Sequence, residues 1–245
     1  MYGTTLYGGQ PNNLGTVFSL DKKTGAEKVL YAFQGGNDGI GPYAALINVG
    51  GTLYGTTIYG GPGNCNDGNQ GGCGTVFSID PETGAEQVIY RFSGGSDGNY
   101  PTGITELNGE IYGTTSAGGN LNASCNAFGC GTVFTIDPKT GAKKTVYAFE
   151  GGTDGWLPYA GVIAVKGALY GTTCAGGTGP CDQGCGTVFS VNPSTDAETI
   201  LHDFQGGSDG ELPVAGLIAK AGKLYGTTNL GDDANNDGTV FEISP

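Results

Sequence analysis

Long uninterrupted segments are missing from this sequence, and their absence narrows the fold class. Glycine accounts for 50 of the 245 residues. Outside residues 187–205, no glycine-free run exceeds about nine residues, which is shorter than a typical helix. Residues 187–205 contain Asn192-Pro193, which would break a helix. No apolar run reaches the roughly 18 residues that a membrane span needs. We therefore predict an all-β chain that does not insert into a membrane.

Charge is also scarce, and basic charge most of all. Charged residues make up 13% of the sequence, with 10 basic against 23 acidic residues. No basic patch exists to meet phosphates, so we expect no nucleic acid partner.

Met1 is followed directly by Tyr2 and Gly3, without a basic region or an apolar stretch, so we expect no signal peptide within this chain.

What the sequence does contain is a tandem repeat with a period of about 52 to 59 residues. The motif Tyr-Gly-Thr-Thr begins at Tyr2, Tyr54, Tyr112, Tyr170 and Tyr225. The motif Gly-Thr-Val-Phe begins at Gly15, Gly74, Gly131, Gly186 and Gly238. The motif Gly-Gly-x-Asp-Gly begins at Gly35, Gly94, Gly151 and Gly206. The period is in the range of propeller blades.

Each period predicts four short strands, which we call a, b, c and d. In the second repeat they are residues 43–49, 52–57, 75–80 and 86–92. All four are rich in β-branched and aromatic residues and are bounded by Gly, Pro, Asn or Asp. The links are short, so neighbouring strands should pair antiparallel. Four such strands per repeat indicate a β-propeller, and a β-solenoid is the alternative.

The strand count predicts one five-bladed propeller domain over residues 1–245. Strands b and c occur five times but strands a and d only four times, so the first and last blades are incomplete. Either the chain is cut from a longer array, or a neighbouring subunit fills the unpaired edges. Strand a contains small residues, such as Ala44, Ala160 and Ala215, and we place it at the crowded inner position.

The motifs also resemble a known family. Residues 53–61, 74–77 and 80–84 show the pattern of the GloVer tandem repeat of bacterial surface proteins, and the pattern recurs along the whole chain. The resemblance implies an extracellular or cell-surface location in bacteria and no established activity.

Acidic residues concentrate on one face of the predicted disc. Antiparallel alternation places the b–c and d–a loops on one face, and these loops carry acids but no lysine. One interpretation is solubility and Asp-Gly turn chemistry. The other is a face that binds a ligand or a cation. The candidate ligand-binding residues are Asp38, Asp97, Asp154, Trp156 and Asp209.

One loop suggests calcium, the only cofactor that we predict. Residues 233–238 match the start of a calcium loop, with candidate ligands Asp233, Asn235 and Asp237. Ser244 stands where an EF-hand has its bidentate Glu, so an EF-hand is rejected. An ordinary polar hairpin loop is the alternative.

Six of the seven cysteines occur in pairs within b–c loops. Each pair has one member directly before Gly-Thr-Val-Phe and a companion upstream: Cys65 and Cys73, Cys125 and Cys130, Cys181 and Cys185. The first and last repeats lack both members, as local disulfides predict, and disulfides imply an oxidising compartment. Zinc is the alternative. Cys174 is left over, either as a buried thiol or as a competitor for Cys181.

These observations leave three functional hypotheses, and we find no catalytic constellation. The first is a non-enzymatic extracellular module for recognition or adhesion, which holds a glycan or protein ligand on the acidic loop face, with calcium as a candidate aid. The second is a structural subunit that self-assembles into a fibre or surface layer through its incomplete end blades. The third is a carbohydrate-active enzyme, which the symmetric placement of the candidate acids disfavours.

Overall fold

The computed structural model describes residues 1–65, 71–121, 125, 128–232 and 236–245, and it is built from five antiparallel sheets. The first sheet contains β1 (Tyr2–Thr5), β2 (Thr16–Leu20) and β3 (Glu27–Ala32). The second contains β4 (Ile40–Pro42), β5 (Ile47–Val49), β6 (Thr52–Tyr59), β7 (Thr75–Ile79) and β8 (Glu86–Arg91). The third contains β9 (Asn99–Leu107), β10 (Glu110–Ala117), β11 (Thr132–Ile136) and β12 (Lys143–Ala148). The fourth contains β13 (Ile163–Val165), β14 (Ala168–Thr173), β15 (Thr187–Asn192) and β16 (Ala197–Asp203). The fifth contains β17 (Ile218–Lys220), β18 (Lys223–Thr227) and β19 (Val240–Ile243).

Strand order within the sheets follows the repeat. The order is a, b, c, d, as in β9-β10-β11-β12, and each strand pairs antiparallel with its neighbour in the chain. The first sheet lacks strand a and the last lacks strand d among the described residues. The predicted all-β propeller of five blades with incomplete ends is therefore confirmed.

The inner strand of the second sheet differs from the prediction of one strand over residues 43–49. It is split into β4 and β5, which both pair with β6, and residues 43–46 lie between them. Gly41 has a left-handed φ of 68°, and Pro42 has no backbone N–H to donate. The third sheet has the same combination at Tyr100 and Pro101, yet β9 is continuous through both residues, so this backbone angle does not explain the gap over residues 43–46.

The two main motifs pair with each other across strands b and c. In every repeat the second Thr of Tyr-Gly-Thr-Thr shares a hydrogen bond with the Thr of Gly-Thr-Val-Phe, as between the hydroxyls of Thr57 and Thr75 at 2.8 Å. A Cβ on Gly55 would lie 2.5 Å from the ring of Phe77, so a side chain there would collide with it. The two motifs thus form the same contact between strands b and c in every repeat.

The hydrophobic core lies between neighbouring sheets. Each phenylalanine that follows strand d contacts the phenylalanine of strand c in the next sheet edge-to-face, at centroid distances of 5.0 to 5.2 Å. The pairs are Phe33 with Phe77, Phe92 with Phe134, Phe149 with Phe189 and Phe204 with Phe241. Such contacts add about 0.5–1.5 kcal/mol each beyond burial.

The inner strands of different sheets converge, as the small residues of strand a predicted. A Cβ on Gly161 would lie 2.4 Å from the carbonyl carbon of Gly103, so these strands approach closely only because both positions are glycine. The first Thr of Tyr-Gly-Thr-Thr also bonds to a backbone carbonyl of the next inner strand. Thr114, for example, donates to the Ala160 carbonyl at 2.8 Å. None of the described helical segments has the length and apolarity that crossing a bilayer requires.

Candidate functional site

The four repeated aspartates lie in the d–a turns, and each ties its turn to strand d. Asp38, Asp97, Asp154 and Asp209 each close a one-turn 3-10 segment. The Tyr31 hydroxyl donates to Asp38 at 2.8 Å, and Tyr90 and Tyr147 donate to Asp97 and Asp154 at 2.7 Å. A backbone N–H just after strand d donates to the second carboxylate oxygen, as from Ser93 to Asp97 at 2.8 Å. These carboxylates therefore have a structural role, and direct ligand binding by them stays a prediction.

His202 takes the place of the tyrosine in the fourth sheet. It pairs with Val188, as Tyr147 pairs with Val133, so the two side chains occupy equivalent positions. Its Nε2 lies 2.9 Å from an Asp209 carboxylate oxygen. The only histidine of the sequence thus has the same partner as the tyrosines, and a structural role accounts for its position.

One position near the start of strand d carries different residues in different sheets, and it faces the aspartate of the preceding turn. In the third sheet Lys143 forms a buried ion pair with Asp97, with the nitrogen 2.9 Å from the carboxylate. Burial alone would raise the pKa of Asp97, but hydrogen bonds from Ser93, Lys143 and Tyr90 outweigh it, and the pKa is lowered. Lys143 therefore neutralises the negative charge of Asp97, one of the four turn aspartates.

A glutamate replaces that lysine in two other sheets. Burial, together with the nearby Asp38, raises the pKa of Glu86 to about 7, and burial together with Asp154 does the same for Glu198. One oxygen of each glutamate is buried without a hydrogen-bond partner in the described part of the chain. At each of these two contacts between neighbouring sheets, the carboxyl group of a glutamate thus faces the carboxyl group of an aspartate, Glu86 with Asp38 and Glu198 with Asp154.

Trp156 does not project from the loop face. Its side chain is 6% exposed and belongs to the core cluster between the third and fourth sheets. Its backbone bridges to Ala175, with an N···O distance of 2.9 Å. The indole therefore packs in the core instead of facing a ligand at the loop surface.

Half of the predicted calcium loop, residues 233–235, lies outside the described residues. Asp233 and Asn235 fall outside them, whereas Asp237 is described and exposed. The backbone N–H of Gly231 donates to the Asn236 side chain at 2.8 Å. The calcium site stays a prediction.

The predicted disulfides are confirmed. Cys65–Cys73, Cys125–Cys130 and Cys181–Cys185 are bonded, with Cα–Cα distances of 5.1, 5.3 and 5.1 Å. Glu211 lies next to the third pair and completes a potential metal-binding cluster. Because both cysteines of that cluster are in a disulfide, neither offers a thiolate. Cys174 is a buried free thiol, and burial raises its pKa to about 11, so it is protonated at neutral pH and a poor nucleophile.

The structure also contains a concavity that the sequence did not single out. A cavity of 490 Å³ opens where strands a begin and strands b end, and four of its lining residues are Tyr43, Tyr59, Tyr100 and Tyr159. We call it the tyrosine cavity. The ring centroids of Tyr59 and Tyr100 are 5.6 Å apart. A second cavity of 370 Å³ shares Tyr43, Tyr159 and Val214 with it and is lined by the inner strands.

The tyrosine cavity is built from one repeated position. Tyr43, Thr102, Tyr159 and Val214 all line it, and each directly follows a proline that recurs between the d–a turn and the inner strand. The residue before that proline has a left-handed φ in all four copies, including the non-glycine residues Tyr100, Leu157 and Leu212 at 56–58°. Strained non-glycine residues cluster at functional sites. The Pro-Tyr pairs were the signal in the sequence that could have located the cavity.

Five sheets of antiparallel strands with converging inner strands define the chain as a β-propeller-type repeat protein. The sequence profile of the Gloeobacter/Verrucomicrobia repeat matches residues 1–127 and 63–245. The chain belongs to this family. No curated protein matches its sequence.

Solved propeller structures share the fold at low sequence identity. A chain of the nidogen/laminin complex has a TM-score of 0.55 and 13% identity, with 95% of this chain and 73% of that chain covered. TolB from Acinetobacter baumannii has a TM-score of 0.54 and 14% identity, with 96% and 47% covered. The tricorn protease has a TM-score of 0.51 and 11% identity, with 100% and 22% covered. The chain thus spans less than half of the latter two, and these likenesses concern the fold alone.

Proposed function

We propose that this chain is a non-enzymatic extracellular recognition module whose ligand, a glycan or a protein segment, enters the tyrosine cavity. The observation that carries the proposal is the cavity itself. It is concave, is lined mainly by apolar and aromatic side chains, and lies where inner strands from several sheets meet. Such features are typical of binding sites. Membership in the repeat family fits a module without catalysis.

An extracellular location is supported by the three disulfides, which persist in oxidising compartments. The turn aspartates contribute to this proposal through their charge. They precede the strands that line the cavity and make the surrounding loop face acidic.

We propose calcium binding by Asp233, Asn235 and Asp237 as a separate property of the chain. Isothermal titration of the unmodified chain with calcium chloride should show binding heat that is lost in the Asp233→Asn, Asp237→Asn variant. Equal heat from the unmodified chain and the variant would refute the calcium proposal.

The recognition proposal is tested with glycan and peptide arrays probed with the purified chain and with a Tyr43→Ala, Tyr159→Ala variant. Tyr43 and Tyr159 are 63% and 43% exposed, so their removal should open the cavity while leaving the core intact. Tyr7→Ala is the matched control, since Tyr7 is 67% exposed but does not line the cavity. Array binding should be lost in the double variant and kept in the control. Binding that survives the double variant, or no binding by any protein, would refute the cavity as the site.

The alternative, self-assembly through the end sheets, is favoured by the uncovered face of the fifth sheet. Val188 and Tyr170 of the fourth sheet are 0% and 9% exposed, whereas Val240, at the Val188 position of the fifth sheet, is 79% exposed. Thr4, Thr56, Thr114 and Thr172 each bond to the next inner strand. Thr227, the fifth member of this set, is exposed and makes no such bond within the described part of the chain. We propose that a sheet of a second copy covers this face.

Light scattering of the native chain tests the assembly. We expect particles larger than one chain that dissociate in the Val240→Glu variant, because a charge buried in the contact is costly. Leu121→Glu is the control, since Leu121 is 62% exposed in a loop. A monodisperse single-chain particle in the unmodified protein would exclude the alternative.

A further inference from the structure

The lining of the tyrosine cavity is aromatic and uncharged. Nine residues line it: four tyrosines together with Ile58, Pro101, Thr102, Ser116 and Val214. None of these nine carries a formal charge at neutral pH. A ligand anion would therefore find no cationic partner in the lining, and a ligand that binds there is recognised mainly by aromatic rings.

The aliphatic hydroxyls of the lining already have partners. Thr102 shares a hydrogen bond with Thr114 at 2.5 Å, and the Ser116 hydroxyl donates to the Tyr100 carbonyl at 3.3 Å. The Tyr100 hydroxyl donates to the Cys65 carbonyl at 2.8 Å. A sugar ring presents many hydroxyl groups, each of which loses water on entry and needs a new partner. Three of the six hydroxyl-bearing residues of the lining are thus already engaged, so a ligand with little hydrogen-bonding demand fits the cavity better.

The charge around the cavity selects the sign of a charged ligand. The chain has a formal net charge of −13. Asp38 and Asp154 lie in the turns that lead into Tyr43 and Tyr159, on the face to which the cavity opens. Lysines such as Lys22 and Lys166 lie in the c–d and a–b turns, which leave the sheets on the opposite face, whereas Lys143 and Arg91 contact the turns that contain Asp97 and Asp38. A cleft beneath acidic loops concentrates cations.

We infer that the tyrosine cavity binds a small organic cation that carries a quaternary ammonium group. This inference rests on the proposed function, because it concerns the same cavity, but it names a small organic cation in place of the glycan or protein segment. A quaternary ammonium has no N–H to satisfy, so the scarcity of acceptors in the lining is no obstacle to it. Its positive charge is attracted to the faces of tyrosine rings and by the acidic loops around the cavity.

Isothermal titration of the full chain with choline and with 3,3-dimethylbutan-1-ol tests the inference. The two ligands have nearly the same shape, but the second replaces the charged nitrogen with carbon. Choline should bind about 10-fold more tightly than its neutral isostere, the ratio that a cation–π contact with electrostatic support would give. Phosphocholine should bind more weakly than choline because the acidic loops repel its phosphate.

Two variants at one position separate ring chemistry from hydroxyl chemistry. Tyr43→Phe keeps the ring and should retain choline binding within about 3-fold, whereas Tyr43→Leu should weaken it by about 10-fold. Thermal unfolding of both variants checks that each is folded, and Tyr7→Leu is the control outside the cavity.

Equal binding of choline and its neutral isostere, or no binding of choline, would overturn the inference. The proposed function would still stand if an array ligand bound in a manner that depends on Tyr43 and Tyr159. It would fall only if no ligand showed that dependence.

Discussion

At the scale of single residues, the glycine of each Tyr-Gly-Thr-Thr motif marks a place where a ring lies directly on the backbone. A Cβ on Gly113 would lie 2.6 Å from the Phe134 ring and 2.8 Å from Ile104. Both neighbours are packed in the core, with Phe134 at 0% and Ile104 at 8% exposure. The motif glycine is therefore required by packing.

The Gly113→Ala variant tests this contact. We expect a loss of about 1–3 kcal/mol in the free energy of unfolding, because the core must move to admit a methyl group. Gly216→Ala is the control, since its Cβ would meet only Ala160 at 3.9 Å. Urea unfolding of both variants checks the difference, and equal stabilities would contradict the packing described for the motif.

Glu86 provides a prediction of pH dependence. Burial and Asp38 raise its pKa in the folded state to about 7 from an ordinary value of 4.5. The folded state thus favours the protonated form of Glu86, so the contribution of Glu86 to stability is fully present below pH 4.5 and is lost as the pH rises through about 7. At pH 8, Glu86→Gln should be about 1 kcal/mol more stable than the unmodified protein, a figure reduced for the partial exposure of the side chain.

Thermal unfolding from pH 4 to pH 8 measures this effect. The difference between Glu86→Gln and the unmodified protein should shrink toward zero at the acidic end. Glu27→Gln is the matched control, because Glu27 occupies the same position of the first sheet and is exposed. A pH-independent difference, or an equal gain in the control, would contradict a charged pair at the Glu86 seam.

At the scale of structural elements, the b–c loops depend on the disulfides for their shape. The bond Cys65–Cys73 joins residues 8 apart, and Cys181–Cys185 joins residues 4 apart. Each bond places a cysteine that is fully buried, Cys73 or Cys185, at the start of strand c. The loops are thereby held at the edge of the core.

Removing one of these bonds should have a modest cost. The Cys65→Ser, Cys73→Ser variant should lose about 2 kcal/mol of stability, because short loops gain little conformational freedom when opened. Thiol titration of the denatured, unreduced protein should find one free thiol, that of Cys174. A titre of seven, the full number of cysteines in the sequence, would contradict the disulfide assignment.

The sequence predicted the elements well and the site poorly, for physical reasons. Strand pairing is local, so the motif spacing sufficed to place strands b, c and d within one or two residues. The gap in the inner strand over residues 43–46 was not predicted, because strand propensity alone does not show which repeats keep a continuous inner strand. The tyrosine cavity was missed because Tyr43, Tyr100 and Tyr159 come from three repeats and meet only when the inner strands converge.

At the scale of the whole molecule, one contact scheme is repeated around the arc of sheets. The Phe–Phe contacts and the Thr-to-carbonyl bonds recur at each seam between neighbouring sheets. Stability in such repeats is close to a sum of neighbour contacts. The same scheme brings the positions after the strand-a prolines together, so the architecture that stabilises the chain also forms the cavity.

The measurement that tests the central claim most directly is a crystal structure of the chain soaked with its best array ligand. The account predicts ligand density in the tyrosine cavity, in contact with Tyr43 and Tyr159. Ligand density on the loop around Asp237, or on the outer strands with the cavity empty, would contradict the claim that recognition takes place where the inner strands converge.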